Sequence, residues 1–422
     1  MTSLISDPAS AERQVYVGLA WNDDRQEIPP VGLLKLLRQG VMESGEFAYG
    51  RRYLQRPDAL ALNPAWLPLQ DAAFPLAPRR LRDGGALPLT LQDALPDSWG
   101  RRVLEARHGG PLDDIDALLL TNDDRVGAMV FSTRLPIQPC DPPGSLLALE
   151  AVAEASRQLE AGFEVTPAMQ ALLRGGASLG GARPKASFFH EGRRHIAKFA
   201  SRADDCDMEV VEAATLSLAA ECGIEVPAFV LQPLSRGHAL LVRRFDREMS
   251  PQGERRLHYL SCSALLDVAY QSSGGSYVEL AQTLRRLSFR PEHDLQELFR
   301  RLVFNLAVGN TDDHVKNHGM LQDHQGRWRL APAFDMVPQF GGMAGYQELA
   351  ILPGQRDARL ALAREAAPHF GLNADRAEEI VSTTLATLAR RAAAAVAERG
   401  GDEALARRMA DFVARQAEAI SA

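Results

Sequence analysis

Apolar and polar positions along the chain change rhythm three times. Up to about residue 135, short apolar runs alternate with turn residues. Val15-Tyr16-Val17-Gly18-Leu19-Ala20-Trp21 is apolar on both faces and reads as a strand, Glu46–Gly50 sets Phe47 and Tyr49 two apart, and Arg125–Phe131 is a third strand candidate. Leu95-Pro96-Asp97-Ser98 suits a helix start. The proline-rich stretch 136–144 reads as a linker, and Leu146–Leu173 has helical spacing. Strand-like runs then fall at 186–189, 195–199 and 240–247. Between the second and third, Met208 to about Glu221 reads as a helix that Gly223 can cap and Pro227 closes. Beyond 247 the pattern is helical: Ser263–Tyr270, Tyr277–Leu287, Leu295–Val308, then several Ala- and Arg-rich helices between Arg359 and Ala419. These shifts divide the chain into 1–135, 145–247 and 248–422. They predict an α+β protein with an N-terminal β-rich subdomain, a mixed lobe and a mainly helical C-terminal lobe. No internal repeat is visible.

Composition narrows the class. Of the 422 residues, 46% are hydrophobic and 24% charged, which suits a globular chain with a sizeable core. Cys140, Cys206, Cys222 and Cys262 show no C-x-x-C spacing, which argues against a zinc site and suggests a reducing, cytoplasmic setting. The start shows no secretory pattern and no run is long enough for a bilayer, so no membrane role is expected. A formal charge of −7 gives no general affinity for nucleic acid. The local pairs Arg390-Arg391 and Arg407-Arg408 are candidates for DNA contact, read first as solvated helix faces.

The candidate chemistry lies in Gly309-Asn310-Thr311-Asp312-Asp313-His314-Val315-Lys316-Asn317 and, after a hairpin-like gap, Ala331-Pro332-Ala333-Phe334-Asp335. An Asp five residues before an Asn, with a later Asp, is the layout by which protein kinases deprotonate a hydroxyl and hold Mg²⁺ against nucleotide phosphates. Mg²⁺ prefers hard oxygen ligands, and phosphoryl transfer is mostly positioning and charge neutralisation. Asp312 is the candidate base, with Asp313 the alternative; Asn317 and Asp335 are the metal ligands. Lys316 can neutralise phosphoryl charge, and Asn310 can brace the loop. His314, counted with the nucleotide-binding residues, reads as a loop brace or a proton shuttle. Upstream, Ser178-Leu179-Gly180-Gly181-Ala182-Arg183-Pro184-Lys185 is a small-residue loop able to cradle phosphates. Lys198, on a strand, is the candidate cation for the α/β-phosphates. A helix carboxylate would orient it: Glu212, or Glu209 one turn earlier.

These segments resemble the HipA family, kinase toxins of type II toxin–antitoxin modules. The resemblance rests on Asn-Thr-Asp-Asp-His-Val-Lys-Asn, on Ala-Pro-Ala-Phe-Asp, on Ser178, Gly181, Ala182 and Lys185, and on Arg244-Phe245-Asp246-Arg247. It implies a protein-kinase-like two-lobed fold and an ATP- and Mg²⁺-dependent serine/threonine protein kinase. The loop Gly180, Gly181, Ala182, Arg183, Pro184 and Lys185 would meet phosphates, with Ser178 the autophosphorylation position that switches the enzyme off. The backbone of Arg243, Arg244 and Phe245 would meet adenine, while Arg244 and Asp246 also read as an ion pair. The implied partners are a HipB-like helix-turn-helix antitoxin, operator DNA mainly through that antitoxin, and a protein substrate such as an aminoacyl-tRNA synthetase, glutamyl-tRNA synthetase first. A non-catalytic corepressor subunit and a small-molecule kinase remain alternatives.

Overall fold

The computed structural model describes residues 10–21, 28–81, 84–138, 149–163, 166–173, 181–251, 253–269, 272–342 and 345–421. Ser178, Gly180, Cys140 and Tyr270 lie outside these ranges.

A five-stranded antiparallel sheet opens the chain. It comprises β1 (Ser10–Leu19), β2 (Pro30–Gln39), β3 (Met42–Tyr49), β4 (Phe74–Arg80) and β5 (Met129–Ser132), in the order β4-β3-β2-β1-β5. Val15, Val17, Leu34, Leu36, Phe47 and Tyr49 share its core. Four helices join it: α1 (Arg51–Leu54), α2 (Leu89–Gln92), α3 (Ser98–His108) and α4 (Asp114–Leu120). The strand expected from Arg125 begins only at Met129. The reason is a competition for backbone groups. Arg244 takes the carbonyls of Asp124 and Arg125, and Asp246 takes the Gly127 N–H, so residues 124–127 have side chains rather than a strand as partners. The expected linker is also partly structural, because Ile137 is buried and bridges to Ile28.

The second sheet follows α5 (Leu149–Glu160) and α6 (Pro167–Leu173). It comprises β6 (Lys185–His190), β7 (Arg193–Phe199), β8 (Phe229–Pro233) and β9 (His238–Arg243), in the antiparallel order β6-β7-β9-β8, with α7 (Met208–Glu221) crossing between β7 and β8. Strand alternation sorts its two faces. Ala186, Ala197, Phe199, Ala239 and Leu241 pack on Val152 and Ala153 of α5, whereas Leu240 and Val242 pack on Ala213 and Leu216 of α7. Lys198 lies between Ala197 and Phe199, so it projects to the α7 side. The run expected to reach Arg247 leaves the sheet after Arg243, since Arg244 and Asp246 turn into a buried ionic cluster.

The remainder is mainly helical. The hairpin β10 (Arg247–Ser250) and β11 (Gly253–Arg256) leads to β12 (His258–Ser261) and α8 (Cys262–Leu266), which stops short of the expected Tyr270 because Asp267 adopts φ 53°. α9 (Tyr277–Leu287) and α10 (Pro291–Val308) precede a single 3₁₀ turn at Val315–Asn317. β13 (Gly319–Gln322) and β14 (Trp328–Leu330) then pair, as the hairpin-like gap predicts, and join β12 in a three-stranded sheet. α11 (Leu360–Ala366), α12 (Ala374–Glu398) and α13 (Glu403–Ser421) complete the chain. Leu298 and Leu302 of α10, Val210 and Leu218 of α7, and Leu388 and Ala392 of α12 belong to the largest core. Among the described residues no helix is long and apolar enough to cross a membrane.

One buried ionic junction fastens the first sheet to the rest. Arg244 donates to both Asp246 oxygens at 2.9 and 2.7 Å, and to the Asp124 carbonyl at 2.8 Å. Arg247 donates to Asp246 at 2.6 Å, and Arg194 lies 3.3 Å from Asp124. Burial pushes the Asp246 carboxyl up, but Arg244 and Arg247 win and hold it well below the usual carboxylate range. Removing one partner leaves uncompensated buried charge. Asp246→Ala should therefore cost about 3–5 kcal/mol, read as a lower urea midpoint at pH 7; an unchanged midpoint would show the junction to be energetically idle.

Candidate active site

The site is built where β7, α7 and the segment after β14 converge. Lys198 Nζ donates to Glu212 Oε1 of α7 at 2.6 Å and also to Asp335 Oδ1. The rival carboxylate, Glu209, is taken elsewhere: Arg183 donates to it at 2.7 Å and to Asp204 as well. Burial raises the Glu209 carboxyl to about 7, with Arg183 opposing. Burial would lower the Lys198 ammonium, but Asp335 and Glu212 carry it well above its ordinary value. For Asp335, desolvation raises the carboxyl while Lys198 and Lys185 hold it well below the usual range. Lys185 sits directly opposite Lys198 in the β6–β7 register, with both side chains on one face. Burial lowers the Lys185 ammonium, against the pull of Asp335.

Backbone anchors deliver Asp335 to this point. Ala331 N donates to Gly319 O at 2.9 Å, Ala333 N donates to Glu225 O at 2.8 Å, and Arg301 of α10 donates to Ala331 O at 2.8 Å. Asp335 itself adopts φ 53°, a left-handed conformation that costs a non-glycine residue roughly 1–3 kcal/mol unless its surroundings enforce it. The ion pair with Lys198 supplies that enforcement.

The loop after α10 turns at Gly309, φ 70°, where a Cβ would strike the Phe412 ring at 2.7 Å. Asn310 braces it, donating to Asn305 Oδ1 at 3.2 Å. The two adjacent aspartates then separate cleanly. Asp313 is buried and accepts from Tyr277 Oη and from Gln347 Nε2 at 3.1 Å, with His318 Nε2 2.9 Å away. Asp312 is exposed. Partial burial raises its carboxyl, His314 opposes, and Asp335 and Glu348 reinforce the rise. Asn317 N donates to His314 O at 2.8 Å, closing the 3₁₀ turn, and Asn317 Nδ2 donates to the Asp312 carbonyl at 3.1 Å. His314 is half-buried beside these carboxylates.

Other expected positions fall differently. Arg183 is committed to Asp204 and Glu209, Ala182 is exposed and Pro184 is buried. The amides of Arg243 and Arg244 already donate to Ala228 O and Arg194 O, so neither N–H is open to a base. The Arg243 side chain is exposed, and the Phe245 ring packs 5.5 Å from Phe334, next to Asp335. Of the arginine pairs, Arg391 bonds Glu221 and Glu398, Arg407 bonds Glu403 and Arg408 bonds Asp205, so acidic neighbours offset that surface. Sequence reasoning missed Asp97. It was read as part of a helix start and given no role in the site, yet its carboxylate meets Lys316 Nζ at 2.6 Å and the Gly181 N–H at 2.8 Å.

Residues 177–392, half of the chain, match the family model of the HipA-like C-terminal domain. The chain belongs to the HipA-like family. It is 28% identical over 382 residues, covering 82% of this chain and 86% of its relative, to the "Putative kinase Y4mE" of Sinorhizobium fredii. It is 25% identical over 301 residues, 64% and 67% of the two chains, to the serine/threonine-protein kinase toxin HipA of Shewanella oneidensis. HipA of that organism, solved with HipB and operator DNA, shares the fold at TM-score 0.66 and 20% identity over 96% of each chain. The fold is thus the two-lobed, kinase-like α+β arrangement of HipA proteins, with a β-rich N-terminal part and a mainly helical C-terminal lobe.

The two aspartates should respond differently to truncation. Asp313→Ala strands buried donors and should cost on the order of 3 kcal/mol, whereas Asp312→Ala should stay within about 0.5 kcal/mol. Urea midpoints compare them, and equal costs would contradict the assignment of Asp313 as the internal brace.

Proposed function

We propose that the chain is an ATP- and Mg²⁺-dependent serine/threonine protein kinase, acting as the toxin of a module with a HipB-like antitoxin. The observation that carries this reading is the meeting of Lys198 with both Glu212 and Asp335, beside an exposed Asp312. In the transfer, Asp312 accepts the proton of the substrate hydroxyl, whose oxygen forms a bond to the γ-phosphorus as the bond to the ADP oxygen breaks. Lys198 and Lys185 place positive charge at the phosphates, and Lys316 offsets charge on the moving group. Gly181 to Lys185, with Gly180, form the phosphate side, and the stretch Arg243–Phe245 forms the adenine side through its carbonyls and the Phe245 ring.

The donors fit Mg²⁺. Asn317 commits its Nδ2 to the Asp312 carbonyl and so presents Oδ1, while Asp335 commits Oδ1 to Lys198 and retains Oδ2. A pair of oxygen ligands suits an ion that completes its shell with phosphate and water. Bound there, Mg²⁺ would neutralise phosphate charge. The assigned units are 1–135, 145–247 for the nucleotide lobe and 248–422 for the catalytic lobe. Ser178 is assigned as the autophosphorylation site. The protein substrate is assigned to the aminoacyl-tRNA synthetases, glutamyl-tRNA synthetase first, with operator DNA reached through the antitoxin in the cytoplasm.

Transfer from radiolabelled ATP tests the reading. Asp312→Asn should lower kcat by about 10²–10⁴-fold while nucleotide affinity changes little; label transfer at the wild-type rate would refute it. Since Asp312 works deprotonated and its carboxyl is raised, activity should fall with decreasing pH at values above the ordinary aspartate pKa of about 3.9. Asp312→Asn should remove that acid limb from its residual rate.

A further inference from the structure

The segment between α2 and α3 belongs to the first subdomain, yet it reaches into the site. Asp97 is the N-cap residue of α3 but makes no side-chain cap hydrogen bond. An aspartate there ordinarily accepts from its own helix, a bond whose loss costs about 1 kcal/mol. Both of its oxygens are instead spent on distant groups. Oδ1 accepts from Lys316 Nζ at 2.6 Å, and Oδ2 accepts from the Gly181 N–H at 2.8 Å. Two residues on, Trp99 N donates to Gly181 O at 3.2 Å and Trp99 Nε1 donates to Lys185 O at 2.9 Å. The end of the glycine loop is therefore held on both backbone groups of Gly181 and again at Lys185. The holding segment is itself fastened: Asp93 accepts from Ser261 N and Ser261 Oγ, both at 2.6 Å, at the start of α8.

We propose that Asp97 is a positioning residue of the transfer site, one carboxylate that sets the spacing between the glycine loop and Lys316. This rests on the kinase reading above and deepens it. The glycine loop precedes β6 in the nucleotide lobe, whereas Lys316 follows α10 in the helical lobe, and Asp97 contacts both. A group donating charge to a moving phosphoryl must be placed closely, because a displacement of about 1 Å can cost 10²-fold in rate. Asp97 gives both elements a common reference outside either lobe. The ion pair is favourable at neutral pH: burial raises the Asp97 carboxyl, but Lys316 and the Gly181 N–H bring it below its ordinary value.

The experiment uses the full chain and measures ATP turnover by ADP release, with folding checked by circular dichroism melts. Asp97→Asn keeps an oxygen for the Gly181 N–H but loses the charge facing Lys316. It should lower kcat by about 10- to 100-fold with KM for ATP nearly unchanged. Asp97→Ala loses both bonds and should lower kcat and also raise KM. A purely structural role would lower the melting temperature and leave both constants of the folded fraction alone. Unchanged constants in folded Asp97→Asn, or a higher kcat in either variant, overturn the inference; the near-isosteric Asn variant carries the test if the Ala variant does not fold. A wild-type chain with no ATP turnover overturns the kinase reading, and this inference with it.

Discussion

One buried ammonium organises the molecule. Lys198 lies on an interior strand, nine-tenths out of water, and a charge in that position must be paired or it is prohibitively costly. Glu212 answers it from α7 and Asp335 answers it from the segment beyond β14. The first contact fixes helix against sheet within one lobe. The second spans 137 residues of chain and ties the segment after β14 to the sheet that carries β7. The left-handed backbone at Asp335 and the anchors at Ala331 and Ala333 follow from the need to bring a carboxylate to that ammonium. Lys185, across the strand pair, adds a second buried cation to the same corner.

The first subdomain is no appendage to this arrangement. Besides contacts such as those of Leu62, Asn63 and Trp66 with His258, Ala264 and Leu265, it meets the kinase-like body through two segments with different physics. Residues 124–127 surrender their backbone groups and the Asp124 carboxylate to the Arg244–Asp246–Arg247 cluster. Residues 93–99 instead touch the candidate site, at Gly181, Lys185 and Lys316. The 93–99 segment is itself anchored through Asp93 to Ser261, so it joins structural anchorage to contact with the candidate site.

Local pattern made much of this legible. The strand holding Lys198, the helix from Met208, the close of α10 at Gly309 and the hairpin before Asp335 each depend on periodicity or on a turn residue that is visible within a dozen positions. The five-residue spacing to Asn317 singled out Asp312 over Asp313, and the structure adds a difference that spacing does not reveal, Asp312 being exposed and Asp313 buried. What failed to show were the long-range exchanges. Arg244 leaves its strand because Asp124, far upstream, is waiting for it, and Arg125–Gly127 fails to be a strand for the same reason. Asp97 was hidden because an aspartate before a helix already has an adequate local explanation. Glu212 was preferred over Glu209 for its deeper place in the helix, and the structure agrees, with Lys198 on Glu212 and Arg183 occupying Glu209.

The central claim is that the Lys198 corner is a nucleotide–metal site, and calorimetric titration of ATP into the full chain with and without Mg²⁺ tests it most directly. The account predicts binding that Mg²⁺ strengthens and that Lys198→Met, verified as folded, weakens at least about tenfold, a loss near 1.4 kcal/mol. Equal affinity in wild type and folded Lys198→Met, or binding indifferent to Mg²⁺, would contradict it.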